Sequence, residues 1–181
     1  MNFQSYKQLE LIRISCFVFN KNYTLEGDAN KNLLMWSHYA KSHKGICICY
    51  KVKQSLLIDK KLENKDITKS CFSVKYEDEK FNFTNIENMN LSIKEIFALK
   101  SKAWEYENEM RLISYNKNND DDYQDIKLNS DANIHSIYFG YKCDEKNINE
   151  IKKIIDKDVK LYKADINTNG LIFDLIFNEI N

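Results

Sequence analysis

Two short stretches concentrate the side chains that do chemistry. In KSKAWEYENEMRLISY, Lys100 to Tyr115, the residues Glu105, Glu107, Glu109 and Arg111 alternate. An extended chain would set three carboxylates and one guanidinium on a single face. Such a face repels itself unless it meets cations or a ligand. Stacked carboxylates raise a pKa for acid/base work, or hold a sugar hydroxyl or a cation. A helical chain would instead pair Glu107 with Arg111 at i,i+4, for only about 0.2–0.5 kcal/mol. We expect helix through about Glu107 and strand from about Met110, with Glu107 and Glu109 pointing inward near a sheet edge. Arg111 fits a lock on one of those carboxylates better than a substrate contact. Glu105 fits an ordinary solvated position.

The second stretch, MWSHYAKSHKGICICY from Met35 to Tyr50, crowds Trp36, Ser37, His38, Tyr39 and His43 ahead of Gly45. On a helix of about 100° per residue, Leu33, Met35, Trp36, Tyr39 and Ala40 fall on one broad apolar face. His43 lands near its middle and His38 at its border beside Ser42. Burial opposes charge on an imidazole, so each ring needs a hydrogen-bond partner. One reading is two satisfied core histidines. The sharper one has His38 and Tyr39 projecting into a ligand pocket, with Trp36 as a wall. Metal is not favoured, since histidines five apart miss the i,i+4 spacing and no third ligand is near in sequence.

The elements that must position these residues follow from periodicity. Leu11 to Phe19 reads as a strand. Asn32 to His43 reads as a helix capped by Asn30 or Asp28 and closed by Gly45 in a left-handed turn. Ile46 to Val52 alternates as a strand, with Cys47 and Cys49 on one face as small buried residues. Ser73 to Glu77 is a short strand and Asn90 to Lys102 a helix. Arg111 to Tyr115, Ile126 to Leu128 and Ile134 to Phe139 are strands, separated by an Asn/Asp-rich loop over 116–122. Asn147 to Ile155 is a helix striped by Ile148, Ile151 and Ile155. Val159 to Ala164 and Leu171 to Phe177 close the chain as strands. This order predicts an α+β fold: one domain with a mixed, mostly antiparallel sheet flanked by about three helices.

At 181 residues the chain fits a single domain of the usual size. It is long enough to bury roughly 70% of its extended surface without a staple. Lys plus Arg number 27 and Asp plus Glu 27, so charge does not indicate nucleic acid. Neither a long apolar span nor a signal-like start is present, which points away from a membrane. The five cysteines lack CxxC spacing, which favours reduced thiols and a cytoplasmic location. There is no proline and only four glycines, so turns carry few markers.

Together the two stretches resemble the bacterial family of domain of unknown function 2971. Its members carry a W-S-H-Y…H-x-G-[IV]-C block, matched here by Trp36, Ser37, His38, Tyr39, His43, Gly45 and Cys47. A W-x-Y-E-x-E-x-R block follows, matched by Trp104, Tyr106, Glu107, Glu109 and Arg111; IHSIYFG and VKLYKA continue the likeness. The resemblance implies bacterial or phage origin and company with defence and mobile elements, but no reaction. Longer members carry a Y-K/H-Y element and an N-D-P motif ahead of the segment that Ile14 to Phe17 matches. Those elements resemble the first NAD-contacting strand of ADP-ribosyltransferase-like enzymes, in which a later Glu on a strand edge orients ribose. By that analogy Glu107 or Glu109 is that Glu, NAD is the cofactor to test, and this short form is a degenerate, regulatory or partner-completed member.

Three functions compete. In an enzyme, Glu107 and Glu109 handle ribose with His38 as the third catalytic group, while Trp36, Tyr39, His43, Trp104 and Arg111 hold the ligand. In a non-catalytic module or inhibitor, Trp36, His38 and Trp104 hold a nucleotide-like small molecule or a partner protein. Metal-dependent hydrolysis of nucleic acid ranks last, because an Asp-rich core motif and a basic face are lacking.

Overall fold

The computed structural model describes residues 12–18, 32–53, 67–78, 97–116, 132–168 and 174–180. Their contacts divide the chain into two compact units, residues 1–19 with 53–127 and residues 20–52 with 128–181. Strands dominate, with two α-helices and one 3-10 helix among the described residues, so the class is α+β. The strands fall into three sheets rather than one. The expected strand Ile126–Leu128 lies outside the described residues.

In the first unit, β1 (Ile12–Val18), β3 (Ile67–Ser73) and β6 (Glu109–Asn116) form an antiparallel sheet in the order β1-β6-β3. β6 is therefore central, with Cys16 opposite Arg111 on one side and Phe72 opposite Arg111 on the other. A parallel pair, β4 (Lys75–Glu77) with β5 (Leu99–Ser101), stands beside it in sequence. Of the predicted helix Asn90–Lys102, residues 90–96 lie outside the described residues, and from Leu99 the chain is strand. Pairing of Leu99 to Ser101 with β4 overrides the helical spacing that took in Lys100. Val74 separates β3 from β4, where one strand over 73–77 was expected; its N–H bonds the Glu109 carbonyl at 2.9 Å.

The second unit holds a four-stranded sheet in the order β2-β7-β8-β9, from β2 (Ile46–Val52), β7 (Ala132–Phe139), β8 (Lys160–Asn167) and β9 (Asp174–Glu179). Only β7 and β8 run parallel. Parallel neighbours need a crossover, and helix α2 (Glu145–Ile154) supplies it. Its Ile148 and Ile151 pack on one face of the sheet, with Ile137, Phe139, Leu161 and the nearby Cys143. The other face is aromatic: Tyr138, Ala164 and Leu175 pack with Trp36 and Ala40 from helix α1, with Cys47 and Cys49 against them.

Helix α1 (Leu33–Tyr39) is shorter than the predicted 32–43. Its cap is Asn32, whose side chain accepts from the Leu34 and Met35 amides at 3.1 and 3.4 Å. It ends because Lys41, Ser42 and His43 all take positive φ, at 49°, 52° and 66°. None is glycine, so composition gave no sign of this stop. Gly45, expected in the left-handed region, is not there. A Cβ on it would lie 3.1 Å from the Ala40 backbone, so close packing is what glycine serves here.

Candidate functional site

In the first unit the alternating acidic block folds around Lys100. The chain runs from β5 into the 3-10 helix Lys102–Glu107, then turns at Asn108 in the left-handed region (φ 44°, ψ 51°) before β6 begins. Asn tolerates this conformation better than most side chains. The turn sets both flanking carboxylates on one ammonium: Lys100 Nζ donates to Glu107 Oε2 and, at 3.1 Å, to Glu109 Oε2. Arg111, two residues along the same strand face, grips Glu109 in a bidentate clamp, Nε to Oε1 at 2.7 Å and Nη2 to Oε2 at 3.1 Å. Its remaining arm donates to the Phe97 carbonyl at 2.6 Å.

Glu107 and Glu109 are buried, at 3% and 6% exposure. Charges this deep survive only when paired, and two cations against two anions balance. Burial alone would raise the Glu109 pKa. Hydrogen bonds from Arg111, the Cys16 thiol and Lys100 overcome it and hold the carboxyl at about 2. Cys16, on β1 opposite Arg111, is pushed up to about 11 by burial and by its bond to Glu109. The Glu109 amide donates to the Tyr76 hydroxyl at 2.7 Å, tying β4 to the cluster. Trp104, 37% exposed, lies with its ring centroid 5.2 Å from Lys100 Nζ and stacks obliquely on Tyr106 at 5.9 Å.

In the second unit the histidine block does something different. Trp36 is buried at 3% in the aromatic core, so it is packing material and not a surface wall. His38 and Tyr39 are exposed, Tyr39 at 61%, with their rings edge to face at 6.4 Å. His43 is buried at 8% although it lies beyond the helix. The backbone reversal brings it back: its amide donates to the Trp36 carbonyl at 3.1 Å. Its ring lies parallel to Trp36 at 6.4 Å and against Tyr141 at 4.8 Å. Nε2 sits 3.2 Å from Ser37 Oγ, which itself donates to the Leu33 carbonyl at 2.9 Å. Burial, and then Lys142, lower the His43 pKa.

Residues 35–112 match the family model of DUF2971, a protein family of unknown function. Over that span the chain is similar to the family. The matched span carries both motif blocks and reaches into both units. No curated protein and no solved structure matches the chain. The five cysteines are free thiols, and no group of three metal-ligating side chains occurs among the described residues. No helix among them is long and apolar enough to cross a membrane.

The structure joins Glu107, Glu109 and Arg111 as the alternation suggested, with one correction. Arg111 locks Glu109, its i,i+2 neighbour on the strand, as expected of one of the two carboxylates. Glu109 opens the central strand β6 and Glu107 ends the 3-10 helix before it, so neither stands at a sheet edge. Glu105 is exposed, as expected. Sequence reasoning left out Lys100, Cys16 and Tyr76. Lys100 was foreshadowed, since a face with three carboxylates and one guanidinium demands another cation. Cys16 and Tyr76 arrive from strands remote in sequence and carry no local signal.

Proposed function

We propose that this chain is a binding module for a nucleotide-like small molecule, seated on the Lys100–Trp104 surface of the first unit, and that it does not turn its ligand over. The observation that supports this is the saturation of Glu109. Its carboxylate is held at about 2 by Arg111 and Lys100. A general base works best near the operating pH, and a carboxylate this weak in basicity is poorly suited to take a proton. What the surface offers instead is a half-exposed indole beside an ammonium. A base ring stacks on Trp104, worth about 1–3 kcal/mol, beside the Lys100 ammonium that the buried carboxylates hold in place.

A second reading keeps the chemistry. Two carboxylates on one lysine beside an exposed tryptophan also suit an ADP-ribosyltransferase-like enzyme in which Glu107 orients the ribose of NAD. Isothermal titration with NAD and ATP, followed by a hydrolysis assay, separates the two. Binding lost in Trp104→Ala without turnover supports the module. Turnover of NAD that disappears in Glu107→Gln supports the enzyme. Absence of binding at millimolar nucleotide sinks both, and leaves a partner protein as the occupant. Pull-down from a bacterial lysate, with and without phage infection, then tests the role in conflict that the family resemblance implies: a stoichiometric complex is the signature of an inhibitor.

A further inference from the structure

The second unit carries a buried nitrogen that nothing described above uses. Ser37 Oγ has one proton, and it is directed to the Leu33 carbonyl at 2.9 Å. The contact at 3.2 Å between Ser37 Oγ and His43 Nε2 therefore requires the proton on Nε2. In that neutral tautomer Nδ1 is a bare lone pair. It is buried and has no hydrogen-bond partner among the described residues. Buried polar atoms are rarely left so, because desolvation is not repaid until a donor arrives.

The backbone is built to keep the ring there. Lys41, Ser42 and His43 hold consecutive left-handed conformations, which non-glycine residues adopt in series only when their surroundings impose it. Gly140, the residue after β7, leaves room for it: a Cβ at that position would lie 2.1 Å from the His43 carbonyl oxygen. The same oxygen accepts from the Lys142 amide at 3.1 Å, and the Gly140 amide donates to the Gly45 carbonyl at 3.0 Å. Strain held in place around an under-partnered polar atom is a pattern of ligand sites. Trp36 and Tyr141 pack against the imidazole, so a donor approaches along the ring edge, in the plane of the lone pair.

We infer that His43 Nδ1 is the acceptor of a second ligand site, taking a planar N–H donor such as a primary amide or the amino edge of a nucleobase. Desolvation and the nearby Lys142 favour the uncharged ring, which keeps the lone pair available at neutral pH. The site is independent of the Lys100–Trp104 surface and stands or falls separately.

The test is nitrogen NMR of the full chain with labelled histidine, titrated with nicotinamide and with adenine. Expected are an unprotonated Nδ1 resonance in the free protein and a saturable shift with at least one probe, unchanged in Trp104→Ala. His43→Asn, which keeps an acceptor near Nδ1 and tolerates positive φ, retains the affinity within a few-fold. His43→Phe loses it at least tenfold. A proton on Nδ1 in the free protein overturns the inference. So does an Nδ1 resonance that neither probe moves at millimolar concentration, a measurement on the wild-type chain that does not depend on any variant folding.

Discussion

In the first unit four charged side chains meet, and each acid has a base to hold. In the second the His43 imidazole keeps one nitrogen bonded and leaves the other bare. Both solutions are buried, and they differ in what they leave undone. The network of Lys100, Glu107, Glu109 and Arg111 gives each carboxylate a cation, so its carboxylates serve as fixed points that tie the 3-10 helix, β5 and β6 together. His43 is held by backbone strain, a glycine contact and two aromatic rings, while its own hydrogen bonding stays incomplete. Saturation makes a scaffold, and incompleteness marks a place where something else is meant to bind.

The contrast is broken most directly at Arg111. Arg111→Met leaves Glu109 buried with only one strong cation, and we expect a loss of about 3–5 kcal/mol in urea unfolding. Glu109→Gln combined with Arg111→Met should recover much of it. A single-variant loss under about 1 kcal/mol would show the cluster to be solvated, in the range of surface pairs. Next in size is Gly140→Ala, whose new methyl meets the His43 carbonyl; overpacking of this kind costs about 3 kcal/mol. Its thermal unfolding should fall accordingly, and an unchanged melting temperature would mean that the clamp on His43 is soft.

Acid sharpens the comparison by pulling the units apart. Glu109 has a folded pKa of about 2 against an ordinary 4.5. Unfolded chains therefore take the proton first, and stability present above about 4.5 is lost as pH falls from there toward 2. After screening this amounts to about 2 kcal/mol. His43 is also lowered, from 6.5, so the second unit starts to lose stability as pH falls below about 6.5. Amide hydrogen exchange should show β7 loosening at a higher pH than β6. Simultaneous loosening of both would dissolve the distinction. The smallest effect belongs to Asn108, where valine at φ 44° costs about 1–2 kcal/mol and glycine is nearly neutral; equal stability of the two variants would remove the left-handed turn from the account.

Legibility in the sequence tracked whether a feature was local. Strand β2 has the bounds that the alternation of ICICYKV indicated, Ile46–Val52, though its pairing with β7 shifts register between Cys49 and Tyr50. The change from helix to strand near Glu107 was visible because alternation begins there. The end of α1 was not, since Lys41-Ser42-His43 is ordinary helical composition and its left-handed path packs against Gly140, almost a hundred positions away. Lys100 looked like a member of a helical stripe because spacing alone cannot report that β4 pairs with it. His43 was correctly placed as buried, but from a helix wheel that does not extend so far; the burial comes from a reversal of the chain.

The order of strands within each sheet bears on how the polypeptide is made. β6 sits between β1 and β3, yet the ribosome delivers it after both. Until β6 emerges, neither earlier strand has its neighbour, and β2 likewise waits for β7. Newborn chains thus carry unpaired edges through much of translation, when sticking to one another is easiest. Lys51, near the end of β2, fits the role of a guard during that interval.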